Sequence, residues 1–188
     1  MKKINFIKTS VLVFALFLGQ SFVAQKIKMV GGAEMYPSKN IVENAVNSKD
    51  HTILVAAVKA AGLVDVLSSE GPFTVFAPTN KAFDMLPMGT VKTLLMDENK
   101  MKLQSILKYH VVAGKWSAKE IIKLIKKENG KVEIKTVSGG KITAWMKGKE
   151  VYISDENGGE AKVIIADVNQ SNGVIHVVNA VLLPKLAM

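Results

Sequence analysis

Apolar residues recur along this chain with two different periods, and the change falls past its middle. In the first half the spacing is helical. Asn40 can cap a helix over Ile41–Asn47, and Asp50 one over Thr52–Ala61, with Gly62 as its stop. Leu54, Ala57, Val58 and Ala61 then share one face. A short turn over Val64–Ser69 ends at Gly71-Pro72, and Phe73–Ala77, aromatic and β-branched, predicts a strand closed by Pro78. Thr79 or Asn80 caps a short helix through Met85. Helical spacing resumes near Thr90 and over Asn99–Leu107, and Tyr109–Val112 reads as extended. Ser117 and Glu120 form a capping box. The helix they open places Ala118, Ile121, Ile122 and Ile125 on one side, with Lys119, Lys123, Lys126 and Lys127 on the other, and ends at Gly130.

After Gly130 the period becomes two. Val132 and Ile134 alternate with lysine and glutamate, then Ile142, Ala144 and Met146 with Thr143, Trp145 and Lys147, and Val151 and Ile153 make a third strand. Gly139-Gly140 and Gly148-Lys149 are the turns. Ala161–Ile165 is a fourth strand, and Asn169–Gly173 turns into a last apolar run, Val174–Leu183, closed by Pro184. Helices first and hairpins second imply an α+β domain rather than an alternating parallel sheet. No internal repeat is visible, and 188 residues suit one domain.

The N-terminus follows a different logic. Lys2, Lys3 and Lys8 precede the apolar run Val11–Leu18, which is too short to span a bilayer and has the build of a secretory leader. Residues 1–24 are therefore expected to be a signal peptide ending at Ala24, although Phe22 stands where a small residue is preferred; the competing reading is an uncleaved anchor. Residues 25–39, with Gly31-Gly32 and Pro37, read as a tether, and 40–186 as the folded domain. No later segment is apolar enough to span a membrane.

Charge and composition narrow the chemistry. All 25 basic residues are lysine, so the bidentate fork that grips phosphate or guanine is missing and no specific nucleic-acid partner is expected. The chain without its leader keeps 22 lysines against 16 acids, a charge of +6. The absence of cysteine excludes disulfides, a thiol nucleophile and thiolate metal sites.

No motif names a reaction. Ser105–Lys108 matches S-x-x-K without its companion motifs, and its helical phase turns both residues toward water. His51, His110 and His176 form no local ligand pair. His51 is expected in a first helical turn and His176 as a hydrogen-bonded core residue, metal ligation being the competing reading. The loops beginning at Asp155 and Asp167 carry residues that could ligate a cation but read as turn chemistry. The lysine face of Lys119–Lys127 reads as solvated, the alternative being an anionic membrane surface. No catalytic residue, metal site or cofactor is expected.

Three segments, in order, resemble the fasciclin domain family: Gly71–Phe83, Leu107–Gly114, and Ala166-Asp167 with Ser171–Pro184. The resemblance covers about Asn40 to Leu186. It implies helices packed on a twisted antiparallel β-wedge, with secretion to the periplasm or the exterior. It implies a non-enzymatic adhesion role, with a cell-surface or extracellular-matrix protein or polysaccharide as partner. Thr79, Asn80, Asp167 and His176 are the structural polar residues of its signatures. Tyr109 and His110 occupy the segment linked in animal relatives to partner binding, and their apolar neighbours equally fit a core position. Asn179 stands where family members often carry an acid. The alternative job is an extracytoplasmic carrier of a small apolar ligand such as a lipid or tetrapyrrole, for which the nine methionines speak.

Overall fold

The computed structural model describes residues 26–185, so the expected leader at 1–24 lies outside the described residues. Lys28–Val30 (β1) and Ala33–Met35 (β2) pair as an antiparallel hairpin. This corrects the reading of 25–39 as a tether: Val30 and Met35 are buried in the larger apolar cluster. Each strand is three residues long, too short for its alternation to register as a period. Gly31 makes the turn at φ 57°, pressed so close to Ser48 that a Cβ would fall 2.3 Å from its Oγ.

Six helices follow on one side. Ile41–Ala45 (α1) starts on the Asn40–Glu43 capping box. Thr52–Ala61 (α2) buries Leu54, Ala57, Val58 and Ala61 and ends at Gly62 in the left-handed conformation, as its pattern predicts. A 3-10 turn over Lys49–His51 leads into α2, so Asp50 is not its cap. Val64–Ser68 (α3), Asn80–Asp84 (α4) and Thr90–Leu94 (α5) are single turns. Lys100–Tyr109 (α6) packs on α2 through Leu103, Ile106 and Leu107. Helix α6 runs further than its pattern suggests because His110 hydrogen-bonds the Ile106 carbonyl one turn back, so Tyr109 is helical rather than extended.

Seven strands form one sheet in the order β4-β3-β9-β8-β7-β6-β5. They are Phe73–Pro78 (β3), Val111–Ala113 (β4), Lys131–Lys135 (β5), Lys141–Lys147 (β6), Glu150–Ser154 (β7), Glu160–Gln170 (β8) and Gly173–Val178 (β9). Every pairing is antiparallel except β3 with β9, which run parallel from Phe73↔Gly173 to Pro78↔Val178. The two strands approach closely at Gly173, where a Cβ would meet the Phe73 carbonyl oxygen at 2.1 Å. Strand β8 is longer than expected because it shifts register twice instead of ending, and Asp167 stands within the second shift at φ 51°. Strand β9 is shorter: at Asn179 the chain leaves the sheet, and side chains take over its backbone N–H groups.

Alternation on β3 and β9 divides two apolar clusters. Val75, Ala77, Ile175 and Val177 face the cluster under α1–α6. Phe76 and Val178 face the other, which Ala118–Lys127 (α7) and β5–β8 enclose, with Ile121 and Ile125 packed on Ile134 and Ile142. The capping box at Ser117 and Glu120 is present, and the helix leaves its lysines exposed.

If β1–β2 belongs to the core, Met35→Ala lowers unfolding free energy by about 2–5 kcal/mol. Urea denaturation checks it; an unchanged midpoint would mean that the hairpin is an appendage.

Candidate functional site

Buried polar side chains gather around β3, β9 and their flanks, and their partners are mainly backbone groups. His176 on β9 stacks on Phe76 of β3, centroids 5.6 Å apart. The Asp167 N–H donates to His176 Nδ1 at 3.3 Å, which leaves the proton on Nε2 to donate to the Trp116 carbonyl at 2.8 Å. Burial lowers the His176 pKa, against the opposing pull of that carbonyl and of Asp167. The left-handed conformation of Asp167, which a short polar side chain tolerates, brings Oδ1 within 2.7 Å of the Ala118 N–H. That N–H lies in the first turn of α7, where no helical carbonyl can accept it, and a carboxylate there also meets the positive end of the helix dipole.

Thr79 caps α4, accepting from Ala82 N at 3.3 Å. Asn80 serves another element: its Oδ1 accepts from Ile53 N at 3.1 Å, and its Nδ2 donates to the Lys49 carbonyl and Thr52 Oγ1. It thereby holds the start of α2, the task expected of Asp50.

Tyr109 and His110 lie inside. The Tyr109 hydroxyl donates to the Lys141 carbonyl and accepts from Glu156 N at 3.2 Å, and burial pushes its pKa up to about 12. His110 donates from Nδ1 to the Ile106 carbonyl at 2.9 Å and accepts the Leu182 N–H on Nε2 at 3.0 Å. Burial lowers its pKa to about 4. Both residues are at most 3% exposed, so the folded surface offers a partner neither side chain.

His51 ends the 3-10 turn that leads into α2, and it is buried. Its Nδ1 meets Ser48 Oγ at 2.8 Å, and its Nε2 has no hydrogen-bond partner among the described residues. Burial lowers its pKa; the neighbouring Ala77 carbonyl opposes this from outside hydrogen-bond geometry. His51 borders a cavity of about 100 Å³ between the β1–β2 hairpin, α1–α3 and the sheet, otherwise lined by residues such as Leu54, Val58 and Val75. A single benzene fills a cavity of about 150 Å³. Lipids and tetrapyrroles need several times that space.

Among the described residues no group of three His, Asp or Glu side chains is placed to hold a metal ion. Ser105 and Lys108 are half-buried on α6. The Asp155 carboxylate accepts from Asn157 N and Gly159 N within its own turn and from Leu183 N in the segment after β9. Two structural asparagines went unmarked in the sequence. Fully buried Asn44 pairs with Tyr36 on both its amide atoms and with Gln170. Asn172 joins Ile41 N to the carbonyls of Leu67 and Ser69. Asn44 had one signal, an amide at a core-facing position of α1; Asn172 looked like any turn residue.

A Fasciclin domain family model matches residues 49–184. The chain belongs to the fasciclin domain family. This fasciclin domain is 46% identical over 162 residues to protein sll1483 of Synechocystis, an alignment covering 86% of this chain and 83% of that one. Immunogenic protein MPB70 of Mycobacterium bovis is 34% identical, with 74% of this chain and 66% of that one covered. Transforming growth factor-beta-induced protein ig-h3 of Sus scrofa is 37% identical across 79% of this chain, which spans one fifth of ig-h3. A solved FAS1 domain pair from the insect cell adhesion molecule Fasciclin I superposes with a TM-score of 0.67 at 22% identity, over 79% of this chain and 51% of that one. That likeness confirms the α+β wedge.

The neutral histidines make stability pH-dependent. With a folded pKa of about 4 for His110 against about 6.5 unfolded, the unfolded chain binds the proton first as pH falls. The contribution is complete above pH 6.5 and is lost toward pH 4, by up to about 3 kcal/mol; His51 and His176 act in the same direction. Urea midpoints measured from pH 7 to 4.5 should fall less steeply in His110→Gln, whose amide can keep both hydrogen bonds. Equal slopes would contradict this assignment.

Proposed function

We propose that this fasciclin domain works outside the cytoplasm as a non-enzymatic adhesion or interaction module, engaging a cell-surface or matrix partner through its exterior. The observation that carries the reading is the inward commitment of the signature chemistry. Thr79, Asn80, Tyr109, His110, Asp167 and His176 all spend their polar atoms on the domain's own backbone or side chains. Residues so engaged build a scaffold and leave recognition to the surface. The structural relationship to an insect cell adhesion molecule supports the same job.

Export rests on the basic-then-apolar pattern of residues 1–24, with the mature protein in the periplasm or beyond the cell. No helix among the described residues is long and apolar enough to cross a membrane. The size of the apolar cavity does not favour a carrier of lipid or tetrapyrrole. Deleting the gene should reduce attachment of the host to surfaces or to its own matrix, and a plasmid copy should restore it. Attachment unchanged across several growth conditions would overturn the proposal.

A further inference from the structure

The net positive charge of the described domain sits on one stretch of it. From Lys115 to Lys149 there are ten lysines against three acids, a charge of +7; the other described residues hold twelve lysines against thirteen acids, −1. All ten of those lysines are exposed. The stretch builds α7, β5 and β6, with β5 the edge strand of the sheet.

Strand alternation then sorts its residues. Ile134 of β5, Ile142 and Ala144 of β6, Ile153 of β7 and Ala161 of β8 point to the apolar cluster beneath α7. The opposite face is turned outward. Across it the register aligns one residue from each strand in a row: Lys131, Trp145, Tyr152 and Lys162. At the usual strand spacing the row is roughly 14 Å long. Its two central rings stack on each other, centroids 5.0 Å apart, and both are half-buried.

The row is held in place. Trp145 Nε1 donates to Ser154 Oγ at 2.8 Å. Glu150 takes the Tyr152 hydroxyl at 3.2 Å on one oxygen and pairs with Lys162 on the other. Thr143 and Ser154 are cross-strand partners in the adjoining row, beside the rings; Glu133, paired with Lys141, and Glu160 end that row. Lys131 stands exposed at the edge strand, with no ion pair among the described residues.

We infer that this outer face of β5–β8 binds an acidic polysaccharide: sugar rings lie against the Trp145–Tyr152 pair, and their carboxylates meet Lys131 and Lys162. This rests on the adhesion reading and names its partner class. A pyranose offers an apolar C–H face and a rim of hydroxyls, which suits an aromatic pair bordered by Thr143 and Ser154. Lysine meets anions as a point charge rather than through a planar fork, which suits carboxylates repeated along a polymer. On that face Lys131, Lys135, Lys141, Lys147 and Lys162 outnumber Glu133, Glu150 and Glu160, a surplus of two that attracts such a polymer and that salt weakens. A membrane fits less well, because a flat half-buried ring pair has no apolar tip to insert.

Full-length protein from its own host, carrying Trp116→Phe so that Trp145 is the only indole, is titrated with sodium alginate, with neutral dextran and with a single-stranded oligothymidylate. Alginate should change the Trp145 emission and bind saturably, and dextran should do neither. Trp145→Ala and Tyr152→Ala, read by affinity electrophoresis in alginate gels, should weaken binding about tenfold with the urea midpoint still measurable. Lys131→Gln with Lys162→Gln should weaken it several-fold, while Lys92→Gln on α5 leaves it unchanged. No alginate binding, equal binding by Trp145→Ala, or tighter binding of the oligonucleotide overturns the inference. If alginate binding fails while gene deletion still impairs attachment, the adhesion reading stands and its partner is of another class.

Discussion

Strand β9 buries all six of its residues, so it needs a hydrogen-bonded strand on each side and an apolar layer on each face. The parallel pairing with β3 meets the first need on one side, and β8 on the other. Parallel neighbours cannot be joined by a tight turn. The chain between Pro78 and Gly173 is therefore a long crossover that contains α4–α7 and β4–β8. That crossover supplies both coverings: α4–α6 join the earlier helices on one face, while α7 and the β5–β8 hairpins close the other. Two clusters divided by the β4-β3-β9-β8 part of the sheet are the consequence.

Burial on both sides also explains the polar residues of the centre. An unpaired polar group there costs more than a hydrogen bond returns, so each must find a partner inside. His176, Asp167 and Trp116 link β9, β8 and the entry to α7. His110 joins the end of α6 to the segment after β9. These contacts fix neutral tautomers and occupy the groups that would otherwise serve as acids, bases or ligands. Among the described residues His51 Nε2 is the exception, buried beside a small apolar void without a hydrogen bond.

Much of this was legible in the chain. The faces of α2 and α7, the capping box at Ser117, the three hairpin strands and the α+β class follow from local period and composition. So does the hydrogen-bonded core position of His176, since a lone histidine on an apolar strand must be satisfied within the core. What local pattern missed was non-local. The parallel pairing joins residues a hundred positions apart, and nothing near Phe73 names Gly173 as its neighbour. The β1–β2 hairpin is too short to show a period. The bulge at Asp167 has no signature except an aspartate where a strand should continue. The Lys131–Trp145–Tyr152–Lys162 row becomes visible only once the register is known, because its members come from four strands.

The β3–β9 pair, buried on both faces, is what holds the domain together. Native-state hydrogen exchange tests that claim most directly. Slow exchange reports the global unfolding free energy, and faster exchange reports local opening. The amides of Phe76, Ile175, Val177 and Leu182 should exchange only through global unfolding, while β5 at the sheet edge and the end of α7 open earlier. Central amides of β3 and β9 that open before the β5–β7 hairpins would contradict the claim that their pairing holds the domain together.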